Sequence, residues 1–283
     1  MKKGSFSNII LILMFVIGLS LLLYPSFSDY WNSFRQTQVV NSYKETVAQI
    51  DDDRYADIMN SARAYNRKLL ERNNAYFLDE DLKEEYEENL NITGNGIMGY
   101  IEIPKINVYL PVYHGTDEGI LQVAIGHLEW TSLPTGGEST HCVISGHRGL
   151  PSARLFTDLD QLEIGNVFQL NVLDEVFTYQ IDQIKIVEPH ETNDLLVVEG
   201  EDYCTLVTCT PYGINSHRML VRGTRIDNLK EIKALRVTAD AVKIDPVIVA
   251  PIVGVPIVLF FFLILMIPKG RKKEKNEDGS VEA

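Results

Sequence analysis

Two uncharged apolar blocks, one near each end, constrain this 283-residue chain more than any other feature. The first is Ile9-Ile10-Leu11-Ile12-Leu13-Met14-Phe15-Val16-Ile17-Gly18-Leu19-Ser20-Leu21-Leu22-Leu23-Tyr24, preceded by Lys2 and Lys3 and uncharged from Gly4 until Asp29. The second occupies residues 247–268, and Arg271, Lys272, Lys273 and Lys275 follow it. A bilayer span takes roughly 20 apolar residues, which the second block supplies alone and the first supplies with its flanks. Pro251 and Pro256 would be resisted by a soluble helix but are tolerated in a membrane helix. Because both blocks carry their cations on the terminal side, both chain ends are expected in the cytoplasm and residues 29–245 outside. The rival reading of the first block is a cleaved signal peptide, since Ser26-Phe27-Ser28 has the small-x-small form of a cleavage site. The length of the run and its lack of alanine favour an anchor.

That topology changes the meaning of the remaining composition. A net charge of -13 argues against nucleic acid, whose phosphates require clustered cations that occur here only in the C-terminal tail. Three cysteines, Cys142, Cys204 and Cys209, leave at least one thiol without an internal partner. Outside the cell a free thiol is a candidate nucleophile. No compact cluster of His, Cys and carboxylate has the spacing of metal ligands, so neither a metal nor another cofactor is expected.

Residues 31–72 lack glycine and proline and space their apolar positions as a helix does. The run Asp51-Asp52-Asp53 interrupts them, with Asp53 expected to cap a second helix. Residues 73–91 are strongly acidic, which reads as an exposed helix or a mobile loop, with Tyr76-Phe77 available to dock. Beyond Gly94-Asn95-Gly96 the pattern becomes short strands and turns. Strands are expected over 100–104, 108–112 and 141–145, as a hairpin over 168–172 and 177–181, and as a pair over 203–209 and 219–223, while 115–128 reads as a turn and a short helix. Many short strands with little helix between them predict a mainly β fold, a closed or nearly closed barrel.

Within that barrel, Thr205-Leu206-Val207-Thr208-Cys209 ends a β-branched run just before a Pro211/Gly213 turn, placing a thiol at a strand end. A thiol-based acyl transferase also needs an acid for the leaving amine and a cation or dipole for the oxyanion. Of the six histidines, His147 stands out, because Gly146 and Gly149 flank it and let the backbone expose its ring. Arg218 opens the strand returning from the turn after Cys209, at the same end of the pair. Each residue also has an ordinary reading: a small buried hydrophobe, a loop histidine, a solvated edge arginine.

The motifs together tip the balance. Thr205-Leu206-Val207-Thr208-Cys209 with Arg218, and Ser145-Gly146-His147-Arg148, resemble the signature of sortases, the transpeptidases of Gram-positive surfaces. Longer blocks resemble the pilin-polymerising class C. Among them are Gly99-Tyr100-Ile101-Glu102-Ile103-Pro104, Leu155-Phe156-Thr157-Asp158-Leu159-Asp160 and Cys209-Thr210-Pro211-Tyr212-Gly213-Ile214-Asn215-Ser216-His217-Arg218. The likeness covers residues 91–225.

The resemblance implies an eight-stranded sortase-type β-barrel with N-terminal helices and two transmembrane helices. Cys209 would be the nucleophile, His147 the general acid and Arg218 the clamp on the oxyanion or substrate. Such enzymes cut a Leu-Pro-X-Thr-Gly-type sorting signal between Thr and Gly and hold a thioacyl intermediate, which in class C a pilin lysine amine attacks. The expected partners are therefore pilin subunits and the membrane, with a monomeric ectodomain. The corresponding division is an anchor at 1–28, a helical region at 29–92 with a lid at about 73–91, a catalytic barrel at 93–228, a linker at 229–245, a span at 246–268 and a basic tail at 269–283. Three alternatives share the barrel: a sortase that fixes proteins to a cell-wall precursor, a peptidase in which water replaces the amine, and a non-catalytic surface scaffold. Class C lids often carry an Asp-Pro-aromatic motif, absent here, so Tyr76 or Phe77 is only a loose substitute as the lid plug. The implied fold also makes Cys142 and Cys204 neighbours on adjacent strands, where two buried free thiols are favoured over an awkward disulfide. For a thiol and an imidazole titrating independently, the thiolate–imidazolium pair is only about 1% of molecules at pH 7. A slow enzyme with a bell-shaped pH profile is expected.

Overall fold

Short runs rich in β-branched and aromatic residues, most of them ended by a glycine, proline or asparagine turn, form the strands among the described residues: β1 (Ile97–Ile103), β2 (Val108–His114), β3 (Ile125–His127), β4 (Thr140–Ser145), β5 (Val167–Val172), β6 (Glu175–Val187), β7 (Asp202–Thr210) and β8 (His217–Ile226). They close into a barrel in the order β1-β2-β3-β4-β7-β8-β6-β5. The α-helices among the described residues include α1 (Lys3–Val47), α2 (Asp52–Glu71), α3 (Glu80–Glu88) and the one-turn α4 (Glu118–Leu121). This computed structural model describes residues 3–72, 76–228, 254 and 256. The expected linker and basic tail, and the expected second span apart from residues 254 and 256, lie outside the described residues. Two compact units make up the chain, one of them Phe27–Lys243, the other including Met1–Ser26.

Two of the eight pairings are parallel, β2 with β3 and β4 with β7; the others are antiparallel. Successive side chains on a strand point to opposite faces. On β4, β7 and β8 the inward set includes Cys142, Ile144, Cys204, Leu206, Met219 and Val221, which join the main core with Ile101, Phe168 and Tyr179. The outward set includes Val143, Val207 and Leu220, which form a second, smaller cluster with Leu195. The middle of β7 is accordingly buried on both faces, Thr205 and Thr208 included.

The N-terminal helices cover the barrel with Val40, Tyr43, Val47, Met59, Ala62, Tyr65 and Leu69. Polar clamps fix them. The Tyr43 hydroxyl donates to Met98 O at 3.0 Å and accepts from Leu173 N at 2.8 Å, while Asn66 exchanges bonds with Leu133 N and O at 2.7 and 3.0 Å. Asp51, rather than the expected Asp53, caps α2 by accepting from Arg54 N at 2.8 Å. The first aspartate of the run already has the extended backbone a cap requires, so the helix begins two residues earlier. Within the acidic segment lies helix α3, capped by Asp79 and fastened by buried Tyr86, whose hydroxyl bonds His127 Nδ1 at 3.1 Å and accepts from Gly115 N at 2.8 Å.

Candidate active site

The parallel pairing of β4 and β7 brings both strands to the same end of the barrel. Their register places Ser145 beside Val207, and it continues one step further, with Gly146 N donating to Val207 O at 3.0 Å and Thr208 Oγ1 donating to Gly146 O at 2.8 Å. The next outward position on β4 is His147 and on β7 is Cys209. On the other side of β7, Cys209 pairs directly with Arg218 of β8. Cys209 and Arg218 thus share the outer face of β7 and β8, and His147 follows the end of β4 at the same rim. Each is half-buried.

Gly146 makes this approach feasible. A Cβ at that position would lie 2.7 Å from the Phe156 ring and 2.8 Å from Ile125, so only glycine lets β4 pass flat over those side chains before His147 turns outward. The Arg218 guanidinium donates to Asn215 O at 3.3 Å and His217 O at 3.2 Å. Among the described residues it pairs with no carboxylate, so its positive charge remains available to the neighbouring thiol.

Below these residues on the same face lie Val143, Val207, Leu220 and Leu195, with Leu128, Trp130 and Val187 packed against them. This is an apolar floor leading to the thiol. The ring of Tyr76 meets Trp130 edge-on at 5.0 Å, whereas Phe77 is 83% exposed. Of the two lid candidates, therefore, Tyr76 touches the floor and Phe77 points to solvent. Asn73, Asn74 and Ala75 lie outside the described residues. On either side the segment is held by Arg72 to Asp79 at 3.5 Å and Lys68 to Glu85 at 2.8 Å.

The other histidines are occupied or misplaced. His114 and His141 have both ring nitrogens in hydrogen bonds, and burial lowers both, His141 to about 4. His127 is buried between Tyr86 and Ser132. His190 is exposed. His217 pairs with Thr210 and so lies on the face opposite Cys209, with Glu188 3.7 Å away. Cys142 and Cys204 are register partners, both buried and unbridged. Burial pushes the Cys204 thiol well above the ordinary range.

Sequence reasoning missed the lock behind His147. Arg148 is largely buried, pairs with Asp160, donates to Thr210 Oγ1 at 3.4 Å, and lies 5.9 Å from the centroid of the Tyr212 ring. A Cβ on Gly149 would meet that ring at 2.9 Å. The loop carrying His147 is thereby held to the turn that follows Cys209. The block Gly146-His147-Arg148-Gly149 was visible in the sequence, but its partners Asp160 and Tyr212 were visible only in three dimensions. No group of three or more His, Cys, Asp or Glu residues among the described residues is arranged to hold a metal ion.

Comparison with known proteins agrees with this geometry. The family model for the sortase domain matches residues 101–226. The chain is 33% identical to sortase D of Bacillus subtilis over 131 residues, which is 45% of this chain and 63% of that relative. The crystal structure of sortase C1 from Streptococcus agalactiae is matched over its whole length and over 68% of this chain, with 48% identity and a TM-score of 0.66. The structure of Clostridium perfringens sortase C with the C-terminal cell wall sorting motif is also matched over its whole length and 68% of this chain, with 41% identity and a TM-score of 0.60. With a family-model match over the barrel and solved structures of 41–48% identity covered over their whole length, the chain belongs to the sortase family, alongside the class C structures from Streptococcus and Clostridium.

Proposed function

We propose that this chain is a membrane-anchored pilus-type sortase in which Cys209, His147 and Arg218 carry the chemistry. The observation that supports it most is the pairing of Cys209 with Arg218 at one rim, level with the end of the strand that His147 follows and above an apolar floor. The floor suits the leucine and proline side chains of a Leu-Pro-X-Thr-Gly-type signal. Cys209, as thiolate, attacks the threonine carbonyl carbon, and Arg218 stabilises the oxygen that becomes negative. His147, as imidazolium, gives its proton to the departing glycine nitrogen, leaving a thioester on Cys209. A lysine amine of the next pilin then attacks the thioester, its proton passes to the now neutral His147, and the thiolate leaves. The product is an isopeptide bond, and the enzyme returns to its starting protonation state.

The same chemistry with a cell-wall precursor as acceptor is the alternative. Similarity to class C structures favours the pilin amine. One helix among the described residues, within Ile10–Val47, is long and apolar enough to cross a membrane, making it a candidate N-terminal anchor. The cations outside both apolar blocks support two spans, cytoplasmic termini and an external barrel, with the linker, second span and tail at the boundaries given above.

Replacing Cys209 by alanine in the native host tests the function: pilin ladders on a denaturing gel should vanish, and unchanged ladders from a host with no other sortase would refute it. Purified enzyme with a sorting peptide, with and without an added amine, separates transpeptidation from hydrolysis. Tyr76 is the residue of segment 73–91 proposed to cover the floor. Tyr76→Ala should speed labelling of Cys209 by a charged thiol reagent, and an unchanged rate would remove the lid role.

A further inference from the structure

Phe27, Tyr30, Trp31 and Phe34 stand at i, i+3, i+4 and i+7 of α1, one face of two successive turns. They are 68, 70, 49 and 49% exposed. Farther along the same face come Thr37, Gln38, Asn41 and Glu45, all exposed and polar. The opposite face is occupied by the barrel unit. Asn32 Nδ2 donates to Ser152 O at 2.7 Å, Arg154 N donates to Asp29 Oδ1 at 2.9 Å, and Gln36 Nε2 donates to Val123 O at 2.7 Å. Val40 and Tyr43 are buried beyond them. The aromatic face therefore does not serve the packing of the fold. Its extent is defined: it begins three residues after Tyr24, the end of the apolar block, and stops two turns later.

We infer that this face lies in the outer interface of the lipid bilayer, with residues 27–34 running along the membrane surface rather than standing upright from it. The inference rests on the reading of the N-terminal block as a membrane anchor. Three residues of chain reach at most about 10 Å, so Phe27 cannot leave the neighbourhood of the bilayer that holds Tyr24. Tryptophan and tyrosine favour the headgroup layer, where an apolar ring and a polar edge are both accommodated. The Arg35 guanidinium lies 5.8 Å from the Trp31 ring centroid, placing a cation at the level of lipid phosphates. An upright helix would separate Phe27 from Phe34 by about 10 Å. The interfacial layer is only about 5–7 Å deep on each side, so all four rings share it only if the segment lies down. Pro25, inside α1, lacks the N–H that would bond the Leu21 carbonyl, and a ladder with such a gap yields to bending more readily than an unbroken one. The face turned away from the membrane holds Ser152 and Arg154, in the loop that starts at His147. The bilayer then sets the height of the reaction site above its own surface, within reach of substrates anchored in the same membrane.

Tryptophan quenching in the full chain tests this. The protein is placed in phosphatidylcholine–phosphatidylglycerol vesicles whose acyl chains are brominated near the headgroup or near the bilayer centre. Emission is read from Trp31, and from Phe27→Trp and Phe34→Trp made in a Trp31→Phe background, with Trp130 as a constant background. All four positions are exposed, so melting temperatures should stay at the wild-type value, and a variant that shifts is replaced by a pyrene label on cysteine at the same position in a Cys209→Ala background. The expected result is stronger quenching by the shallow bromines at all three sites, with equal depths at 27 and 34. Depths differing by the upright separation would overturn the inference while leaving the anchor intact, and so would a chain that floats with vesicles but shows no quenching. Emission blue-shifted yet insensitive to bromine, with residue 27 cross-linking between copies, would assign the face to a second copy of this chain instead. Failure to float with vesicles would overturn the anchor reading and this inference together.

Discussion

Strands β4 and β7 take part in two sulfur–histidine settings that differ in almost every chemical respect. Inside the barrel, Cys142 of β4 and Cys204 of β7 lie side by side, with the His127 ring tied to Tyr86 and Ser132. On the outer rim, Cys209 of β7 lies level with His147 after β4 and opposite Arg218 of β8. Five residues separate Cys142 from His147, and five separate Cys204 from Cys209. An odd step on a strand reverses the face, so one sequence distance converts a dry packing position into a reactive one. Thiols and imidazoles are present in both settings. What differs is access and an uncommitted cation.

Arg218→Lys attacks that cation directly. A point charge on a flexible stem replaces a fixed fork of donors, so kcat should fall by about 10²–10³ with KM little changed, as for loss of one oxyanion donor. Steady-state kinetics with a sorting peptide and an amine check this, and an unchanged kcat would place the distinction between the two settings in access alone. Gly146→Ala tests the step between the faces. The added methyl would press on Phe156 and Ile125, costing about 1–3 kcal/mol of stability, and a shift of roughly 1 Å at His147 should lower kcat about 100-fold. Full activity after that substitution would show that the rim does not depend on the flat passage of β4.

His141 shares the outward face with His147 but lies under the loop at Leu196, and burial lowers it to about 4. Because the unfolded ring takes a proton near pH 6.5 and the folded ring does not, the stability it contributes is complete above that pH and is lost as pH falls toward 4. The gap corresponds to on the order of 3 kcal/mol. Denaturant titrations at pH 7 and pH 4 should show a smaller difference for His141→Gln than for the wild type. Asp202, raised by burial, acts in the opposite sense but equally in both proteins. An identical difference in the two proteins would mean that His141 already titrates normally. The smallest effect is expected from Cys204→Ser, which buries a hydroxyl in place of a thiol. Stability should drop by about 1–3 kcal/mol, kcat should hold, and the folded protein should still label at one cysteine. A large loss of kcat would erase the contrast between interior and rim.

Much of this was legible in the sequence for a physical reason. Strands β1, β4 and β7 are rich in Val, Ile, Leu and Thr and end at glycine or proline, and His147 and Cys209 lie at the ends of the last two, where the punctuation is strongest. Other parts depended on pairing. Strand β3, Ile125–His127, is three residues long and contains a glycine; it exists because β2 and β4 flank it, and the reading of 115–128 as turn and helix passed over it. Strand β6 continues to Val187, beyond the expected 177–181, because a register shift between Ile181 and Gln183 carries it along β8. The Arg148 lock depends on Asp160 and Tyr212, 12 and 64 residues away in sequence, which no local pattern links.

The parallel register of β4 and β7 has a consequence for timing. Ser145 and Val207 meet although they are far apart in the sequence, and such non-local pairings form late because a long loop must close first. Until they do, His147 and Cys209 belong to separate parts of a disordered polymer. The rim that brings the two residues level therefore comes into being only with the closure of the barrel, and a partly folded chain holds them apart.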